Sequence, residues 1–214
     1  MTQNNQSEIT ALQKHTEEFE WIKRNFDKFK HELELINRQN PYECELYSVI
    51  ACIIRCCMNE EGVSLRDVSR IQTYHKQHTD HLKSAGGFPD FVFLGNEYDK
   101  KVLEGGDMSQ KNSVLGAVEI KYMHRKIYNA KKKRINFETQ IKSHIERFEK
   151  VIYTNGLEWR LYGFDSVNAD FPRIFQLGSL KKDTEIEWQT DAEDTWVNLL
   201  EYLHGIKWRE PLSQ

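Results

Sequence analysis

The 214-residue sequence has no apolar run of the roughly 18 to 20 residues that a membrane-spanning helix requires. Its first residues, MTQNNQSE, are polar and lack the apolar segment of a secretory signal. Its few cysteines fall in one short segment, whereas the disulfide framework of a secreted domain would spread them along the chain; they are Cys44, Cys52, Cys56 and Cys57. These absences predict a cytoplasmic protein in a reducing compartment, without membrane association.

The sequence also lacks internal repeats, low-complexity runs and a strong excess of charge of one sign. Its formal net charge is −3, so the overall charge does not indicate a polyanionic ligand. The phosphate-binding motif GxxxxGK[ST] of motor ATPases is absent, and we therefore do not expect this chain to translocate DNA. Charged residues at 29% and aromatic residues at 12% are typical of a folded domain with a sizeable core.

Apolar residues in residues 8–37 recur in steps of three and four, which predicts one long amphipathic helix. The stripe consists of Phe19, Ile22, Phe26, Phe29, Leu33 and Ile36. It has two possible partners: the core of the same chain, or a second copy in a homodimer formed through residues 8–37. Pro41 ends this unit, because the residue before a proline disfavours the helical conformation. The expected division is an N-terminal helical appendage over 1–40 and a main domain over 41–214.

The remaining segments predict an alternation of helices and strands. Helices are expected over 42–59, 64–83, 136–149 and 191–207, and strands over 89–95, 114–122 and 173–180. VIYT and LEWRLYGF flank Asn155-Gly156, a pair that indicates a hairpin turn in which both residues have positive φ. This order predicts an α/β fold with a mixed central β-sheet flanked by helices.

Two acids and a lysine stand at the ends of the predicted strands. Asp90 opens the strand over 89–95, and Glu119 and Lys121 close the strand over 114–122. Residues two apart in a strand face the same side, so Glu119 and Lys121 should project together, with Leu115 on their face and Val114 on the opposite one. If the two strands are neighbours, Asp90 and Glu119 can converge on one cation.

This combination of groups fits phosphodiester hydrolysis. Mg²⁺ prefers carboxylate oxygens and retained waters in octahedral geometry, and Mn²⁺ is expected to substitute for it. Such an ion activates water and offsets the charge on the departing oxygen. A nearby ammonium group can hold the attacking water or stabilise negative charge at phosphorus. Asp90 and Glu119 are therefore the predicted metal ligands, and Lys121 is the predicted catalytic cation.

Pro89-Asp90 followed by Glu119-x-Lys121 resembles the PD-(D/E)XK nuclease superfamily. The segment TNGLEW (154–159) is similar to the TNG-x-x-W hairpin beside the nuclease domain of type I restriction motor subunits. The resemblance covers about residues 42–165 and implies a restriction-endonuclease-like fold. It implies a catalytic role for Gln140, although His144 stands where the family usually has a tyrosine. It also implies a further metal-binding glutamate on the helix before the first core strand, with Glu43 as first candidate and Glu45 as second.

The segment after Lys121 is basic and contains no acid up to residue 134. Such a patch pairs with phosphates and gives salt-dependent binding to nucleic acid. A solvated loop would have the same composition. The predicted contacts are Arg125, Lys126, Lys131, Lys132, Lys133 and Arg134.

The leading hypothesis is a metal-dependent endonuclease that cuts DNA, in restriction or another anti-phage defence. An RNA endonuclease of the same fold is the first alternative, since the sequence does not separate the two substrates. A non-catalytic nucleic-acid-binding or assembly module is the second alternative. The intact Asp90, Glu119 and Lys121 argue against that module.

Overall fold

The computed structural model describes residues 14–70, 80–98, 113–123, 134–164, 172–181 and 185–210. Its helices are α1 (14–23), α2 (Phe26–Gln39), α3 (Glu43–Cys57), α4 (Arg134–Phe148) and α5 (Ala192–Gly205), and a short 3₁₀ helix covers Asp80–Leu82. Its strands are β1 (Val63–Asp67), β2 (Phe91–Gly95), β3 (Val114–Ile120), β4 (Val151–Thr154), β5 (Glu158–Tyr162), β6 (Arg173–Gln176), β7 (Gly178–Lys181) and β8 (Glu185–Trp188). None of the helices in these ranges is long and apolar enough to cross a bilayer.

A six-stranded sheet in the order β1-β2-β3-β4-β5-β6 forms the centre of the fold. β3 and β4 run parallel, and the other neighbouring pairs are antiparallel. Parallel neighbours need a crossover connection, and the chain between β3 and β4 includes α4. β7 and β8 form a separate two-stranded sheet. The predicted α/β fold with a mixed central sheet is confirmed.

Helices cover both faces of this sheet. One core cluster joins Phe91 and Phe93 of β2 to apolar residues of α1, α2, α3 and α5. The second cluster joins Val92 and Leu94 of β2 to Ile141 and Phe148 of α4. All five residues of β2 are buried, as expected for a central strand covered on both faces. The flanking helices that the sequence predicted are thereby confirmed.

The N-terminal helix differs from the prediction, because a turn at residues 24 and 25 separates α1 from α2. The Asn25 side chain donates to the Trp21 carbonyl, a local bond that competes with helix continuation. The apolar stripe from Phe19 to Ile36 is buried in the main cluster of this chain. A homodimer through this stripe would need a surface that the chain's own core already covers. Residues 8–13 lie outside the described residues, and the domain division at residue 40 stays a prediction.

The helix predicted over 64–83 was wrong in its first part, where β1 pairs antiparallel with β2. Val63 and Leu65 alternate with Ser64 and Arg66, which is a strand pattern. Leu65 is buried in the main cluster, so burial against α3 and the sheet decides the conformation. Residues 71–79 lie outside the described residues.

The last predicted strand, over 173–180, is divided between two sheets. β6 pairs with β5, and β7 pairs with β8, a strand that the sequence did not predict. Leu177 separates β6 from β7 and is fully buried. Its amide donates to the Leu157 carbonyl over 2.8 Å, and its carbonyl accepts from the Gln189 amide over 2.9 Å. This buried residue therefore ties the small sheet to the β4–β5 hairpin.

Candidate active site

The β2–β3 pairing brings Asp90 to the end of β3. Phe91 pairs with Val118 and Val92 with Ala117, so the same antiparallel register sets Asp90 opposite Glu119. The Asp90 amide donates to the Val118 carbonyl over 3.0 Å. Asp90 Oδ2 accepts from the Ile120 amide over 2.6 Å. The two strands are neighbours, as convergence of the two acids on one cation would require.

The side chains at the end of β3 lie on the predicted faces of the sheet, but those at its start do not. Val118 and Ile120 belong to the main cluster, and Ala117 belongs to the cluster on the α4 face. At the start of the strand the facing is reversed, because Val114 packs on the α4 face and Leu115 on the other. The cause is an irregularity in the pairing next to Phe93 and Leu94, which shifts the alternation by one residue.

The Glu119 carboxylate is almost fully buried among polar groups. Its Oε1 accepts hydrogen bonds from Lys121 Nζ and from Gln140 Nε2, the latter over 2.7 Å. Its Oε2 lies 3.3 Å from His144 Nε2, and neither of these two atoms has another polar partner among the described residues. Ser84 Oγ lies 2.8 Å from His144 Nδ1. The structure therefore brings Lys121, Gln140 and His144 onto the same carboxylate.

The two carboxyls titrate in opposite directions. Burial acts to raise the pKa of Glu119, but the contact with His144 and the charge of Lys121 outweigh it, and the pKa lies below its usual value. Burial, assisted by the negative charge of Glu119, raises the pKa of Asp90 to about 7. Glu119 is therefore the ionised member of the pair near neutral pH, and Asp90 is the member that exchanges a proton.

Tyr47, on α3, is a group that the sequence analysis missed. Its hydroxyl donates to Asp90 Oδ1, so both oxygens of Asp90 are hydrogen-bonded. Burial, followed by the hydrogen bond to Asp90, raises the pKa of Tyr47 and keeps the phenol neutral. A signal was present, because Tyr47 stands four residues after Glu43 and so shares its side of the helix.

The two glutamate candidates on α3 lie in different surroundings. Glu43 Oε2 accepts from the Tyr122 amide over 3.1 Å, directly after Lys121. Glu45 is exposed and accepts from the Asn40 side chain over 2.8 Å. Only Glu43 therefore contacts the end of β3. Of the predicted nucleic-acid contacts, residues 125, 126 and 131–133 lie outside the described residues, and Arg134 begins α4.

The hairpin over 154–159 supports β3 from the adjacent strand. The Thr154 carbonyl accepts from the Lys121 amide over 2.8 Å, and the Trp159 indole donates to the Gly156 carbonyl over 3.3 Å. The predicted turn type was wrong, because only Gly156 has positive φ. Asn155 instead accepts with its side chain from the amides of residues 157 and 158. This Asx arrangement fixes the turn without a left-handed Asn155.

No protein-family model, curated protein or solved structure matches this chain. The proximity of Asp90, Glu119 and Lys121 is therefore the observation on which a functional assignment has to stand. In the described part of the chain, no group of three or more His, Cys, Asp or Glu residues could hold a metal ion. Any ion at this place would depend on Asp90 and Glu119, with water or substrate completing its coordination.

Proposed function

We propose that this chain is a divalent-metal-dependent nuclease of the PD-(D/E)XK type that hydrolyses phosphodiester bonds in DNA. The observation that supports the proposal best is the meeting of Asp90 and Glu119 on adjacent strands, with Lys121 bonded to Glu119. Ordinary strand-end charges would be solvated, whereas each of these three side chains is more than nine-tenths buried. Burial of charge is costly, and such groups concentrate at functional sites.

The carboxylates fit a hard divalent cation. Glu119 Oε2 is buried and, among the described residues, faces only His144 Nε2, so it would be the oxygen of Glu119 that binds a cation. Asp90 would add an oxygen after exchanging the hydrogen bond from Tyr47. When bound, Mg²⁺ or Mn²⁺ would supply a water of lowered pKa and offset charge on the leaving oxygen.

Side chains of the protein would stabilise charge on the substrate and orient the two carboxylates. Lys121 holds its ammonium group next to Glu119, where it can stabilise negative charge that develops on a phosphate. Gln140 holds Oε1 of Glu119 by a hydrogen bond and His144 lies 3.3 Å from Oε2, so both restrict the carboxylate from the α4 side. Tyr47 holds Asp90 from the α3 side. Preorganised groups of this kind need little rearrangement when charge develops in the transition state.

The proposal is tested by incubating plasmid, linear and single-stranded DNA with the protein and either Mg²⁺ or Mn²⁺. The wild type should cleave at least one of these forms, and Asp90→Asn should reduce the rate by about a hundredfold or more, as expected for loss of a charged group that binds the metal. Asparagine can accept from the Ile120 amide through its oxygen and donate to the Tyr47 hydroxyl through its nitrogen, so the variant should fold. Asp27→Asn, on the exposed side of α2, should cleave like the wild type. Intact DNA under every condition would refute the proposal.

The pH dependence follows from the raised pKa of Asp90. Below about pH 7 Asp90 carries a proton, which competes with a metal ion for the same oxygens. The affinity for Mn²⁺ should therefore rise up to about tenfold per pH unit towards pH 7 and level off above it. Calorimetric titration with Mn²⁺ at a series of pH values measures this. Asp90→Asn should lose the inflection, and an unchanged inflection in that variant would assign it to another group.

A further inference from the structure

A turn over residues 84–87 lies against α4 beside the candidate active site. The Ser84 amide donates to the Gly87 carbonyl over 2.9 Å, and the Gly87 amide donates to the Ser84 carbonyl over 3.1 Å. The Gly86 amide donates to Ser84 Oγ over 2.9 Å, and this oxygen also lies 3.4 Å from the Gly87 carbonyl oxygen. These bonds fix the serine side chain within the turn, and Asp90 follows three residues after it.

The turn contacts both α4 residues that restrict the Glu119 carboxylate. Ser84 Oγ and His144 Nδ1 share a hydrogen bond over 2.8 Å. A Cβ atom at Gly86 would lie 3.0 Å from Gln140 Cα and 3.1 Å from its carbonyl oxygen, so the two backbones approach closely there. On their other side, Gln140 donates to Glu119 Oε1 and His144 Nε2 lies 3.3 Å from Oε2. The turn and the carboxylate therefore hold the same two side chains from opposite ends.

This polar connection crosses an apolar part of the core. His144 is fully buried, and Ser84 is more than nine-tenths buried. Ile141 and Phe148, on the same helix as His144, belong to the apolar cluster between α4 and the sheet. A buried hydroxyl and a buried imidazole cost free energy unless both are paired, and apolar side chains could fill the same space. Packing alone therefore does not account for Ser84 and His144.

The contact with Ser84 determines how the imidazole ring is turned. The terminal torsion of a histidine side chain is broad, so a ring without a partner at Nδ1 could turn Nε2 away from Glu119. Partners of this kind fix the orientation of the groups that surround a metal ion, although they do not touch the ion themselves. The hydrogen bond to Ser84 therefore keeps His144 Nε2 directed at Glu119 Oε2.

We infer that Ser84 is a positioning residue of the candidate active site, which through His144 holds the Glu119 carboxylate in the orientation that binds a divalent cation. The inference rests on the proposed metal-dependent function and adds to it a residue that touches neither metal nor substrate. Because Ser84 acts through His144, its contribution to metal affinity should vanish once His144 can no longer bind it.

The test is calorimetric titration of the full chain with Mn²⁺ in the absence of DNA. Ser84→Ala should weaken Mn²⁺ binding by about tenfold, the lower end of the loss typical for partners that orient metal ligands. His144→Gln keeps a donor for Glu119 but lacks the ring nitrogen that contacts Ser84. When Ser84→Ala is added to His144→Gln, the affinity should therefore fall no further.

Ser143→Ala is the matched control. It removes a serine hydroxyl that is about as buried as that of Ser84 and directly precedes His144, and Mn²⁺ affinity should not change. Ser84→Cys replaces the hydroxyl by a weak donor of similar shape, and it takes the place of Ser84→Ala in the same comparison if the alanine variant does not fold.

A purely structural serine would change the free energy of unfolding in urea and leave Mn²⁺ affinity as it is. That result would overturn the inference, as would the same tenfold loss in the His144→Gln background. Mn²⁺ binding that depends on Ser84, without cleavage of any DNA, would refute only the nuclease proposal. DNA cleavage by the wild type, with unchanged Mn²⁺ affinity in Ser84→Ala, would refute only the positioning role. Absence of Mn²⁺ binding by the wild type would refute both.

Discussion

Replacement of Lys121 by alanine should lower the rate of DNA cleavage by at least about a hundredfold, the loss typical of removing one electrostatic stabiliser of a transition state. Lys121 Nζ is bonded to Glu119 at the end of β3, and the side chain is buried. The described residues provide no second lysine at this carboxylate. Cleavage of supercoiled plasmid in Mn²⁺, followed over time, gives the ratio of rates.

The controls for Lys121 have to separate lost chemistry from lost folding. Removal of the ammonium group leaves the buried Glu119 without its lysine partner, and breaking a buried ion pair can cost about 3 to 5 kcal/mol of stability. Lys121→Gln keeps a hydrogen-bond donor towards Glu119 and should fold better than Lys121→Ala while remaining inactive. Lys142→Ala, at an exposed position on α4, should leave cleavage unchanged. A folded Lys121→Gln protein that cleaves at the wild-type rate would remove Lys121 from the proposed chemistry.

A chain that begins at residue 41 should fail to fold. The six buried apolar side chains of the α1–α2 stripe share one cluster with Trp196, Leu199 and Leu200 of α5. At about 1.5 to 3 kcal/mol for each buried side chain, their loss removes about 10 kcal/mol or more. The entire stability of a domain is about 5 to 15 kcal/mol. Circular dichroism and limited proteolysis of the shortened chain measure the outcome, and a cooperatively folded fragment 41–214 would show that residues 1–40 are an appendage after all.

Single substitutions test the same contact in the full chain. Leu33 is fully buried against Gly156 and Leu46, and Leu33→Ala should lower the free energy of unfolding by about 2 to 5 kcal/mol. Glu32→Ala, one residue earlier on the exposed side of α2, should change it by less than about 0.5 kcal/mol. Chemical denaturation of the three proteins gives these values, and equal stability of Leu33→Ala and wild type would contradict the packing.

The elements that the sequence predicted well are those with a strong local period. β2 and β3 are short runs rich in β-formers, and the α3 region is apolar over most of its circumference. The errors fell where tertiary contacts decide. The apolar pattern of β1 is short enough to fit a helix or a strand. Its pairing with β2 decides that it is a strand. The turn at residues 24 and 25 interrupts an apolar stripe that continues unbroken through it, so periodicity could not reveal the break.

The proximity of Asp90, Glu119 and Lys121 could be predicted because two rules suffice: alternation within β3 and adjacency of β2 and β3. The side chains that contact the two carboxylates could not be predicted from these rules. Ser84 and His144 are 60 positions apart in sequence and meet only because α4 packs on the sheet. The choice between Glu43 and Glu45 required the orientation of α3, which periodicity gives only to within a residue or two.

The irregularity in the β2–β3 pairing, next to Phe93 and Leu94, lies between the two acids and the connection from β2 to β3. From Phe93 to Phe91 the pairing is regular. The positions of Asp90 and Glu119 therefore depend on this short stretch and not on the pairing of Leu94 with Val114. Because the register changes at this point, the pairing beside the two acids does not depend on the pairing next to the connection. Insertions and deletions in that connection can be absorbed before the irregularity, and the connection is then free to diverge while the two carboxylates keep their alignment.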